Sequence, residues 1–201
     1  DWVYEEEFGL AQAWKWSRDS RYIAFWQTDE RGVPVVQLTN YEGRHPDWMK
    51  VAYPKVGDHN PRVRIGVVNV ADGKTTWLPW TDTASNATEH YIPRIYWTSD
   101  PNTVAVLTLN RPQNHARMYF YNVANGERKL IMEEKSDKWI DIFDFFAGVE
   151  HYLYFPEGTR EFFWISDRDG YQHIYRYDYN GKLLNQVTRG NYMVTRVEAI
   201  D

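Results

Sequence analysis

Apolar and polar positions alternate in short runs along this chain and almost never settle into a helical stripe. Arg21-Tyr22-Ile23-Ala24-Phe25-Trp26, Val63-Arg64-Ile65-Gly66-Val67-Val68-Asn69-Val70 and His173-Ile174-Tyr175-Arg176-Tyr177 have the pattern of half-buried or buried strands. No window of about 12 residues carries a clean helical face. The one helical feature expected is a short turn near Tyr4–Ala11. The chain is predicted to be nearly all β.

Two sequence elements recur. Trp16-Ser17-Arg18-Asp19 followed by Ile23-Ala24-Phe25 returns as Trp97-Thr98-Ser99-Asp100 followed by Val104-Ala105-Val106, with a looser copy at Trp164-Ile165-Ser166-Asp167. Asn69-Val70-Ala71-Asp72-Gly73-Lys74 returns as Asn122-Val123-Ala124-Asn125-Gly126-Glu127, and more weakly as Asp178-Tyr179-Asn180-Gly181-Lys182. Asx-Gly between strands marks a hairpin, because its tight turn needs backbone in the left-handed region. Each repeat then reads as an inner strand pair closed by the Trp-Ser/Thr turn and an outer hairpin closed by Asx-Gly. That is a four-stranded antiparallel propeller blade. Blades are expected at about 13–80, 95–134 and 160–189, with a further strand beginning at Tyr192. The predicted fold class is an all-β propeller fragment of about three to four blades. A plain β-sandwich is the alternative; matching offsets at both elements favour the propeller. The first blade carries a surplus, Gly32–Pro61, which holds four of the nine prolines and so reads poorly as central strand. An extended arm is expected there, over about 33–54.

Composition narrows the function. Of 201 residues, 23 are Lys or Arg and 28 are Asp or Glu, for a net charge of −5. An acidic balance argues against a nucleic-acid partner, which needs clustered basic residues. With no Cys, disulfides and thiolate chemistry are excluded. No apolar run is long enough to span a membrane, and the opening Asp1-Trp2-Val3-Tyr4 has neither the basic nor the apolar region of a signal peptide. The chain has 10 Trp, 15 Tyr and 9 Phe, residues that suit pleated, half-buried surfaces. None of the six Ser lies in a Gly-x-Ser-x-Gly elbow, and the six His have no metal-ligand spacing. Asp167-Arg168-Asp169-Gly170 lacks the distal Glu of a calcium loop and reads as a turn. No catalytic residue, metal site or cofactor is expected within the chain.

One cluster stands apart. Glu5-Glu6-Glu7 lies between Trp2, Tyr4 and Phe8. It reads either as a solvated acidic face or as a cation site, in which converging carboxylates bind an ammonium and aromatic neighbours exclude water.

Asp1-Trp2-Val3-Tyr4-Glu5-Glu6-Glu7-Phe8, Trp16-Ser17, Tyr53-Pro54-Lys55-Val56-Gly57, Asn60-Pro61, Val67-Val68-Asn69, Leu109-Asn110-Arg111 with Gln113-Asn114, and Ser166-Asp167 with Gly170-Tyr171 and His173-Ile174 resemble, in order, the propeller of the dipeptidyl peptidase IV family of serine peptidases. The resemblance implies an eight-bladed ring, of which this chain matches the middle, about half. It also implies a bacterial source, an α/β-hydrolase domain and remaining blades as partners in the same protein, a homodimer, and a periplasmic or extracytoplasmic setting. In that family two adjacent glutamates hold the free N-terminal amine of the peptide, so that dipeptides of Xaa-Pro or Xaa-Ala type are released. By motif position these are Glu6 and Glu7, with Trp2, Tyr4 and Glu5 in support. Neighbours on an ideal helix diverge by about 100°, so the segment must be short and distorted for both to reach one amine. The family's Ser-Asp-His triad and carbonyl-binding arginine match nothing here, so the chain alone is expected to be inactive. A pocket aromatic of the family falls near 143–146 and is unassigned. A non-catalytic propeller for protein–protein interaction, or a carbohydrate-directed propeller, are the competing classes.

Overall fold

The computed structural model describes residues 1–80, 89–142 and 153–195; the region near 143–146 lies outside these. A single π-helical turn, Val3–Glu7, opens the chain. It is followed by β1 (Trp14–Trp16), β2 (Tyr22–Asp29), β3 (Val35–Asn40), β4 (Asp47–Ala52), β5 (Arg62–Asn69) and β6 (Thr75–Leu78). Then come β7 (His90–Trp97), β8 (Thr103–Asn110), β9 (His115–Asn122) and β10 (Arg128–Lys135). The last four are β11 (Leu153–Tyr154), β12 (Glu161–Ser166), β13 (His173–Asp178) and β14 (Leu183–Gln186). The strands form three four-stranded antiparallel sheets, β1-β2-β5-β6, β7-β8-β9-β10 and β11-β12-β13-β14, with β3-β4 a separate hairpin. This is a β-propeller fragment.

The Asx-Gly turns join the third and fourth strands of each sheet. Asn69 N–H donates to the Lys74 carbonyl at 2.9 Å, and Asn122 N–H to the Glu127 carbonyl at 2.9 Å. Gly73, Gly126 and Gly181 supply φ of +69°, +74° and +86° at these turns, as the hairpin geometry demands.

Alternation packs the sheets face to face. On β2, Ala24 and Trp26 are buried and Phe25 is half-buried, and on β12 Phe162 and Trp164 are buried. Indole N–H groups tie neighbouring sheets together. Trp26 Nε1 donates to the Ile92 carbonyl at 2.8 Å, and Trp97 Nε1 to the Lys15 carbonyl at 3.0 Å. A buried Trp needs such a partner for its indole N–H, and Trp26 and Trp97 find theirs across this seam. Arg18, in the β1–β2 turn, donates to the Phe155 carbonyl at 2.7 Å in the β11–β12 turn. The first and third sheets thus meet at their first turns across the second, as blades fanned around an axis must.

Two details differ from the sequence reading. Trp164-Ile165-Ser166-Asp167 leads into the turn between the second and third strands of its sheet, not the first and second. The sheet's first strand is the short β11, upstream of residue 160. Here Trp164 Nε1 and Ser166 Oγ both donate to Glu134 of β10. Tyr192 begins no strand; its ring packs edge-on against His173, with centroids 5.3 Å apart.

Candidate functional site

The π-helical turn lies at the seam of the first two sheets, and its composition decides which way each side chain faces. Val3 and Tyr4 are 7% and 3% exposed, and Phe8, just past the turn, is 2% exposed. Glu5, Glu6 and Glu7 are exposed. The turn is therefore pinned at both ends by apolar side chains, with three carboxylates displayed between. Asp1 Oδ1 accepts the Tyr4 N–H at 3.0 Å, satisfying one of the donors left free at the start of a helical turn. The far end closes at Gly9, with φ +58°, and the Leu10 N–H returns to the Tyr4 carbonyl at 2.8 Å.

Tyr4 is held deep. Its hydroxyl accepts the Ile92 N–H at 3.0 Å, and burial pushes its phenol well above the usual tyrosine range. Its ring lies 5.6 Å from Phe8 and 6.4 Å from Tyr91. Arg94, itself buried, donates Nη1 to the Phe8 carbonyl at 2.7 Å.

Trp2 meets Tyr53 edge-to-face with centroids 5.2 Å apart. Together with Glu7, Asn60 and Arg111 they line a cavity of about 280 Å³. Arg111 is oriented there by the Asp58 carbonyl at 2.6 Å and by Glu89 at 3.4 Å. Among the described residues, Glu6 and Glu7 have no hydrogen-bond or ion-pair partner.

The expected cluster thus divides. Glu7 and Trp2 share the cavity wall, whereas Glu6 is exposed and is not among the residues that line it. Tyr4 and Phe8 face the core, so neither can stack on a cation at the carboxylates; they anchor the turn from below. Arg94 and Ile92 went unnoticed in the sequence, where nothing sets one Arg or one Ile of a strand apart. Among the described residues, no helix is long and apolar enough to cross a membrane.

A family model described as the dipeptidyl peptidase IV (DPP IV) N-terminal region matches residues 1–201. The chain is similar to a dipeptidyl peptidase 4 of Trichophyton rubrum, 31% identical over all of this chain and 26% of that protein. A probable dipeptidyl peptidase 4 of Aspergillus flavus is 27% identical over 100% of this chain and 27% of its own length. Among solved structures, Porphyromonas gingivalis dipeptidyl peptidase 4 superposes with a TM-score of 0.86 at 36% identity, covering 100% of this chain and 27% of that one. A putative dipeptidyl aminopeptidase IV from Bacteroides ovatus gives 0.77 at 28% identity over 92% of this chain and 27% of its own. The chain spans about a quarter of the length of these relatives.

Proposed function

The chain belongs to the dipeptidyl peptidase IV N-terminal region family over residues 1–201, and on that premise we propose that it is the part of a serine dipeptidyl peptidase that receives the substrate's free N-terminal amine. Glu6 and Glu7 bind the α-ammonium, and their distance from the hydrolase centre of the whole protein sets cleavage after the second residue, for Xaa-Pro or Xaa-Ala peptides. The observation that carries this reading is the turn itself. One short π-helical turn, fixed by buried Tyr4 and Phe8, displays adjacent carboxylates that no group among the described residues neutralises. The turn is short and departs from an ideal helix, the condition under which neighbouring carboxylates can both reach one amine. In this reading segment 1–13 is the amine-binding segment, and the sheets β1-β2-β5-β6, β7-β8-β9-β10 and β11-β12-β13-β14 are three blades. The 36% identity to the Porphyromonas gingivalis protein supports a bacterial source. The whole protein works as a homodimer through the β3–β4 hairpin.

An α-amine has a pKa of about 7.7–8.0 and is mostly cationic at neutral pH, and two carboxylates stabilise that form. Each charge-assisted hydrogen bond contributes about 1.5–3 kcal/mol. Glu6→Gln and Glu7→Gln in the full-length enzyme should therefore each lower kcat/KM for Gly-Pro-p-nitroanilide by about 10–100-fold. Hydrolysis of p-nitrophenyl acetate, which has no amine, should persist. Normal cleavage of both substrates overturns the clamp; joint collapse of both assigns the glutamates to the fold.

A further inference from the structure

β7 is bulged beside the glutamates. Its ladder with β8 pairs Tyr91 with Leu109 and then Arg94 with Leu107, so Ile92 and Pro93 together face the single residue Thr108. Pro93 has no N–H to lose at such a point. The bulge frees both backbone groups of Ile92 from the ladder. Its N–H reaches Tyr4 Oη at 3.0 Å and its carbonyl accepts Trp26 Nε1 at 2.8 Å. Tyr91, one residue earlier, packs its ring 5.1 Å from Phe8. Arg94, at the end of the bulge, donates to the carbonyls of Phe8 at 2.7 Å and Pro93 at 2.8 Å. Bulges of this kind re-aim groups beside functional sites.

The residues gripped are Tyr4 and Phe8, which flank the acidic triplet on either side. Fixing those two points fixes the backbone that carries Glu6 and Glu7. Arg94 is 7% exposed, and among the described residues it has no carboxylate partner. Burying a charge against carbonyls alone is costly, and an apolar side chain would fill the same space at lower cost. The guanidinium also sits where a cation complements the carbonyl end of a helical turn.

We infer that Arg94 is a positioning residue for the amine clamp, acting through the β7 bulge on the Phe8 carbonyl and hence on Glu6 and Glu7. This inference rests on the clamp reading of those glutamates.

The test is a double-mutant cycle in the full-length enzyme, with Glu7→Gln, Arg94→Met and the pair combined. Arg94→Met should lower kcat/KM for Gly-Pro-p-nitroanilide by about tenfold or more, part of it in kcat, because misplacing a bound substrate by even 1 Å slows the chemistry. Hydrolysis of p-nitrophenyl acetate should stay within about twofold, and the combined variant should lose no more than Glu7→Gln alone, since coupled groups are non-additive. Arg94→Lys, which keeps a donor, should recover part of the loss. Tyr4→Phe, which removes the acceptor of the Ile92 N–H, should give the same non-additive pattern if Arg94→Met does not fold. Losses that simply add, or an ester rate that falls in step, overturn the role of Arg94 and leave the clamp standing. A Glu7→Gln and Glu6→Gln pair without effect overturns the clamp and the inference together.

Discussion

At the scale of single residues, one buried carboxylate gathers three donors at the joint between the second and third sheets. Glu134 accepts Trp164 Nε1 at 2.7 Å, Ser166 Oγ at 2.5 Å and Arg168 Nη2 at 2.6 Å. Removing one partner of a buried pair leaves the others uncompensated, which costs about 3–5 kcal/mol. Glu134→Ala should therefore lower the thermal transition of the propeller sharply, and Glu134→Gln by less, as scanning calorimetry would record. The sequence does not mark Glu134 out from Glu133. A bulge between Leu130 and Met132 resets the alternation of β10, turning Met132 and Glu134 inward and leaving Glu133 exposed. A smaller anchor closes the β1–β2 turn. Desolvation pushes the Asp19 carboxyl up, but the Ser17 hydroxyl at 2.8 Å and Arg21 outweigh it and hold the group below the ordinary carboxylate range. A folded-state pKa lowered this way adds stability above the unfolded value and loses it as pH falls through the folded one. Asp19→Asn should accordingly lower Tm at pH 7, and the gap to the parent should close as the pH falls below the ordinary carboxylate range. A gap that stays constant with pH would remove the charge from the explanation.

At the scale of elements, the hairpins were legible because their chemistry is local. Asx-Gly turns and their flanking strands are set by residues close in sequence. The turn at Val3–Glu7 was legible as helical, but its π character depends on contacts with β7, more than eighty residues later. The third Trp-Ser anchor misled for a related reason. Short β11 has only two ladder residues and no pattern of its own, so the blade seemed to start a strand late. The β3–β4 hairpin pairs Val35↔Ala52 through Asn40↔Asp47. Leu38 is 42% exposed, Trp48 62% and Met49 54%, so neither face of the hairpin is covered. Uncovered apolar residues on a two-stranded element suit an interface between copies. Replacing residues 35–52 by a short Gly-Ser linker in the full-length protein should shift sedimentation from dimer to monomer. An unchanged dimer mass would leave the hairpin without that role.

At the scale of the whole molecule, the first sheet presents a face that no other sheet covers among the described residues. On the first sheet, Trp77 stands 38% and Trp16 46% exposed, and Phe25 meets Trp77 edge-to-face at 5.6 Å. Gly66 makes room for that pair: a Cβ there would lie 2.6 Å from Phe25 Cζ. Such a face is built to receive a neighbouring blade. Residues 1–201 produced alone should associate in a concentration-dependent way, visible by light scattering, and Trp16→Glu with Trp77→Glu should suppress it. A monomer at all concentrations would contradict this account of the end face.

The insertion of the hairpin between β2 and β5 also bears on the order of assembly. β8 and β9 are joined by a short loop, so the second sheet forms from neighbouring segments. The central pairing of the first sheet, Asp29↔Arg62 through Tyr22↔Asn69, must instead close the whole loop of residues 30–61. Loop closure costs entropy before any contact repays it, and distant pairings form slowly. The second sheet should gain hydrogen-exchange protection first in refolding, and the first sheet only after its arm has been looped out. Until then the seam that seats the glutamates has one wall. A protein that carries its arm inside a blade therefore completes the setting of its acidic turn late, and the growing chain cannot hold Glu6 and Glu7 in their final place until that slow step is done.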